Sequence, residues 1–111
     1  LLAGFVTAFS TDSPADLIAQ ADSAYMTRHV EASMIQAISS LEAILPELGT
    51  LPVQSQTYVL NRLSQLCYEA TMFSEGDTSE DGEWFEKGKA YGLQSLRLDP
   101  VFVEAETRGF G

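Results

Sequence analysis

Basic residues are scarce in this chain. Six Lys and Arg stand against sixteen Asp and Glu, a formal net charge of −10 over 111 residues. That sign repels nucleic-acid phosphate and anionic lipid alike, so neither is expected as a partner. Cysteine occurs once, as Cys67, and histidine once, as His29. A single thiol closes no internal disulfide and builds no zinc site by itself. Cys67 lies in the apolar run LSQLCYEA and reads as a small buried side chain. His29 follows Arg28 and has no second metal ligand at helical spacing, so it reads as a solvated helix end. The apolar N-terminal stretch LLAGFVTAFSTDS is short of the about twenty residues that a membrane span needs. No strand-period alternation and no phosphate-cradling glycine loop is visible, since Gly88 and Gly92 fall inside a helical pattern.

What is present is apolar content of 45%, too much for an acidic disordered tail, on a length that suits one domain. Four helices are predicted. The first opens at Ser13-Pro14-Ala15-Asp16, a serine cap, a first-turn proline and an acid, and carries Leu17, Ile18, Ala21, Ala24 and Tyr25 at helical spacing. The second runs from about Val30 to Leu45, with Met34, Ala37, Ile38, Leu41, Ile44 and Leu45 as its stripe and Ser33, Gln36, Ser40 and Glu42 largely opposite. Pro46, Gly49 and Pro52 end it within the connector LPELGTLPVQ. The third covers about Ser55 to Phe73, with Leu60, Leu63, Cys67 and Ala70 inward. The acidic, turn-forming SEGDTSEDGE reads as a loop, and a fourth helix follows over about Glu80 to Leu98. Its Trp84, Gly88, Tyr91, Ser95 and Leu98 share a face, and Gly88 and Gly92 predict the close approach of another helix. Pro100 stops it, and VFVEAETRGFG reads as the beginning of a fifth helix. The expected fold is all-α: two antiparallel helical hairpins in one helical-repeat domain over residues 1–111.

Two segments resemble the halves of a tetratricopeptide repeat. LNRLSQLCY, Leu60 to Tyr68, follows the large-x-x-Leu-small-x-x-aromatic pattern of a first helix, with the aromatic one place late. FEKGKAYGLQSLRLDP, Phe85 to Pro100, follows a second helix, with Gly88 and Ser95 as its small residues and Asp99-Pro100 as its close. Between them SEGDTSEDGEWF stands where an ordinary repeat has a tight turn. NRLSQLCYEA, the acidic interruption, FEKGKAYGLQSLRLDP and VFVEAE together resemble the tetratricopeptide-like T component of bacterial tripartite ATP-independent periplasmic (TRAP) transporters, over roughly half the chain. Leu-Leu-Ala-Gly resembles the run before the lipid-bearing cysteine of bacterial lipoproteins, with Phe5 in the cysteine's place. Residues 1–12 are thus expected to be a leader remnant or an N-terminal extension, and the chain a piece of a longer array.

The resemblance implies a non-enzymatic, periplasmic accessory protein, membrane-anchored in its full-length form. Its expected partners are a periplasmic solute-binding protein, a small organic solute and a second copy of the chain, with no nucleic acid and no cofactor. A general adaptor holding a peptide in a concave groove stands as the alternative, and a calcium-sensing helical module as a third. In the repeat alignment Leu60, Leu63 and Cys67 point into the hairpin core, and Tyr58, Asn61, Gln65 and Tyr68 line the groove that receives the partner. Their hydroxyls and amides suit a neutral or weakly anionic ligand.

Two further patterns carry chemistry on paper. Asp77-Thr78-Ser79-Glu80-Asp81-Gly82 copies the first half of a calcium loop, but its twelfth position is Gly88 where a bidentate glutamate belongs, so a helix-capping loop is expected instead. Glu83 and Glu86 stand one turn apart as an acid/base pair would, yet no nucleophile or histidine lies near them in sequence, and first-turn acids are expected on dipole grounds alone.

Overall fold

The computed structural model describes residues 12–99, and among them every regular element is helical. Four α-helices follow in order: α1, Pro14–Tyr25; α2, Glu31–Glu42; α3, Val53–Glu69; and α4, Thr78–Leu98. Short 3₁₀ segments cover Leu45–Thr50 and Ala70–Phe73. The fold is all-α, as the sequence predicts. The fifth helix expected after Pro100 lies outside the described residues. The chain divides into two compact units, with the boundary between Glu47 and Leu48.

In the first unit α1 packs against α2. The start of α1 follows from its sequence. Ser13 Oγ accepts the Asp16 amide proton at 3.2 Å, and the Asp16 carboxylate accepts from the Ser13 amide at 3.3 Å, a reciprocal cap that satisfies two otherwise orphaned donors. Leu17 and Ala21 of α1 are buried, as are Met34, Ala37, Ile38 and Leu41 of α2. Ser40, expected on the outer side of α2, is buried too, and its hydroxyl accepts from Gln36 Nε2 at 3.0 Å. His29 sits exposed in the turn between the helices rather than at a helix end. Arg28, beside it, lies 3.8 Å above the Tyr25 ring and donates to the Tyr25 carbonyl. The second helix ends at Glu42, earlier than predicted. Pro46, without an amide proton, cannot continue the α pattern, and the chain tightens into the 3₁₀ segment.

In the second unit α3 packs against α4, and the Ala70–Phe73 turn touches both. Leu60, Leu63 and Cys67 are fully buried, as predicted, together with Val59 and Leu66. The helices run antiparallel. Tyr68 meets Phe85 and Gly88, whereas Ser64, one turn earlier on α3, meets Gly88 and Gly92, later on α4. The predicted close approach at the two glycines is therefore real. A Cβ on Gly88 would stand 3.1 Å from the Tyr68 ring and 3.2 Å from the Ser64 carbonyl oxygen, while Ser64 Oγ donates to the Gly88 carbonyl at 2.7 Å. On Gly92 a Cβ would stand 3.2 Å from Ser64 Oγ.

The acidic loop is shorter than the sequence suggests. Only residues 74–77 lie between the helical segments, because α4 begins at Thr78. Asp77 is the reason: its Oδ1 accepts from the amides of Ser79 at 3.0 Å and Glu80 at 3.1 Å, the N-cap geometry that starts a helix. Glu80 and Asp81 then complement the positive end of the helix. Of the residues that look like an insertion between two repeat halves, those from Thr78 onward form the first turns of α4. The reversal itself is made by Glu75 and Gly76, consecutive residues with φ of 53° and 82°. For Glu75 this left-handed conformation costs about 1 kcal/mol; Gly76 adopts it freely.

Candidate functional site

The four groove candidates recur on α3 at spacings of three and four residues, so they share one strip of the helix away from Leu60, Leu63 and Cys67. Tyr58, Asn61 and Gln65 are half-buried, and Tyr68 is 43% exposed. The polar groups of Tyr58 and Gln65 already have uses. Arg62 Nη2 donates to the Tyr58 hydroxyl at 3.4 Å, with the guanidinium 5.5 Å from the ring centre. Gln65 Nε2 donates to the Glu69 carboxylate at 2.9 Å, one turn along. Tyr68 has two roles: one face of its ring covers Gly88, and the rest reaches solvent.

Beside Tyr68 stands Phe85 of α4, ring centres 5.9 Å apart and planes tilted by 42°, with Phe85 48% exposed. One turn beyond Tyr68, in the 3₁₀ segment, Met72 is 60% exposed. Leu93 and Leu96, two to three turns beyond Phe85 along α4, are exposed as well. Trp84 and Phe85, as aromatics, are candidates for recognition whose default role is inter-helix packing. Consecutive residues on a helix point about 100° apart, and the buried face of α4 is only as wide as Gly88 and Ser95, so one of the two aromatics turns outward. Trp84 takes the inner position, and Lys87 lies 5.3 Å from its ring centre. The position of Met72 follows from its spacing of four from Tyr68.

The calcium-like loop has a different geometry from the one its pattern suggests. Gly82 is inside α4, where the sixth-position turn of a calcium loop would need it outside, and Asp77 Oδ1 is engaged by two backbone amides. Among the described residues no group of three or more His, Cys, Asp or Glu is placed to hold a metal ion. Glu83 and Glu86 line an open depression on α4 of about 630 Å³, together with Ser79, Gly82 and Lys87. Both carboxylates are exposed there. Among the described residues no helix is long and apolar enough to cross a membrane.

The chain matches no protein-family model, no curated protein and no solved structure.

Proposed function

We propose that this protein is a non-enzymatic accessory subunit of a periplasmic TRAP-type solute-uptake system, which docks the solute-binding subunit on the outer face of the α3–α4 hairpin. The observation that carries the docking part is the exposed pair Tyr68 and Phe85, held by a tightly packed helical seam, with Met72 beyond it and the Asn61 and Gln65 amides along the same strip of α3. Large amphipathic side chains on rigid elements are what interface hot spots are made of, because little conformational entropy is lost when they are covered. The transporter assignment is supported by the resemblance of NRLSQLCYEA and FEKGKAYGLQSLRLDP to the T component, which also reads the hairpin as a variant tetratricopeptide-like repeat.

The test is calorimetric titration with a purified TRAP solute-binding subunit encoded beside this gene. Binding is expected in the micromolar range, weakened about ten-fold by Phe85→Ala, a loss of about 1.4 kcal/mol. Circular dichroism of the variant checks that its helices are intact. No binding, or binding indifferent to Phe85 and Met72 substitutions, overturns the proposal.

A further inference from the structure

The exposed apolar patch and the charges around it lie at the same end of the hairpin. From Glu69 to Glu86, through the end of α3, the connector and the first turns of α4, every charged side chain is acidic. Lys87 is the first base, and it sits by Trp84. Met72 and Phe85 lie within this stretch, and Tyr68 immediately precedes it. The helix ends have opposite polarity here: the carbonyl end of α3 adds to the negative potential, whereas the amide end of α4 is already complemented by Asp77, Glu80 and Asp81. Lys89 follows one turn along α4 from Phe85, so the patch is apolar at its centre, acidic on the side of the connector and the end of α3, and carries one base at its far edge.

We infer that the occupant of this patch is a basic amphipathic segment, one that seats a bulky apolar side chain against Tyr68 and Phe85 and places Lys or Arg opposite Glu69 and Glu86. The inference rests on the docking face proposed above and names the chemistry of what docks there. Charge complementarity selects the sign. An acidic or uncharged apolar segment would bring nothing to offset the carboxylate field, and a second copy of the chain, at −10, would be repelled. Met72 suits such a role because an unbranched thioether adapts to side chains of different shape. Rim charges of this kind mainly set the association rate and its dependence on salt, while the aromatic pair sets how long the segment stays.

Three synthetic peptides of equal length separate these contributions: an amphipathic Leu/Lys helix, the same leucines with Glu for Lys, and the same lysines with Ser for Leu. Each is titrated into the intact isotope-labelled chain, followed by amide and methyl NMR. The Leu/Lys peptide is expected to shift Tyr68, Met72 and Phe85 and to bind at least about ten-fold more tightly than either control, with affinity falling as salt rises. Met72→Ser, at a position 60% exposed, is expected to weaken it without loss of helix content, and Phe85→Ser to weaken it further. Equal binding by the Ser/Lys peptide would mean that charge alone acts, and the inference fails. Equal binding by the Leu/Glu peptide at the same residues would remove the basic requirement while leaving the docking face in place. Shifts confined to other residues, or none with any peptide, would overturn the inference and count against the docking face as well.

Discussion

The two helices of the second hairpin are built on different plans. Over 17 residues, α3 buries Thr57, Val59, Leu60, Leu63, Leu66 and Cys67. The longer α4, with 21 residues, buries only Gly88 and Ser95 and leaves Phe85, Leu93, Leu96 and Leu98 exposed. The first is fixed by aliphatic side chains, each worth about 2 kcal/mol when removed from water. The second is held along a seam where backbone comes close to backbone, through the absence of side chains at Gly88 and Gly92 and through the hydrogen bond from Ser64. A helix anchored in this way has apolar residues left over for other contacts. Aliphatic packing is thereby concentrated on α3, while α4 keeps exposed apolar residues beside Tyr68.

The comparison can be broken most directly by the same truncation on the two helices. Leu63→Ala is expected to destabilise the protein by about 3 kcal/mol in urea unfolding, and Leu93→Ala by less than about 0.5 kcal/mol. Similar losses would show that α4 depends on its leucines as α3 does. The glycines sharpen the point within one helix. Gly88→Leu must displace the Tyr68 ring and crowd the Ser64 carbonyl, at a cost of about 2 kcal/mol. Gly82→Ala meets nothing within 4 Å and should stabilise by about 0.7 kcal/mol through helix propensity. Asp77→Ala removes the cap on α4 and is expected to lose about 1 kcal/mol, with faster amide exchange at Ser79 and Glu80 as the local signature. A small gain is expected at Ser95, fully buried with no hydrogen-bond partner for its hydroxyl. Ser95→Ala should raise stability by about 0.5 kcal/mol, since alanine keeps the small profile and removes an unsatisfied group.

Much of this arrangement was legible in the residues. Ser13-Pro14-Ala15-Asp16 can do little other than open a helix, and the stripe Leu60, Leu63 and Cys67 has one inward side. Gly88 and Gly92 signalled close packing because glycine inside a helix needs a compensating contact. The start of α4 was less clear. Asp77 followed by oxygen-bearing residues satisfies a cation loop and a helix cap equally well in sequence, and only the direction of its carboxylate decides. Pro46 marks an end to α2 without revealing the 3₁₀ segment around it, since both outcomes lack the same amide proton. Leu98 shares the spacing of the packed face yet is exposed in the last turn of α4, and periodicity carries no information about where a partner helix stops. At the candidate site the strip of Tyr58, Asn61, Gln65 and Tyr68 follows from spacing, whereas the Tyr68–Phe85 pair depends on how α3 and α4 align, which no single-helix pattern contains.

The two left-handed residues that turn the chain between α3 and α4 also bear on how quickly the hairpin assembles. With residues 74–77 as the whole connection, Tyr68 and Phe85 come together by closing a loop short enough to form in well under a microsecond. Glu75 and Gly76 must reach their φ of 53° and 82° before that encounter is productive, so the search is governed by a few backbone rotations instead of by diffusion of distant segments. A β-branched residue at Gly76 would raise the free energy of the native turn and, if the turn forms in the folding nucleus, of the nucleus by a similar amount. The penalty would then appear as slower folding with little change in unfolding rate, the opposite of what a truncation on the exposed face of α4 would produce.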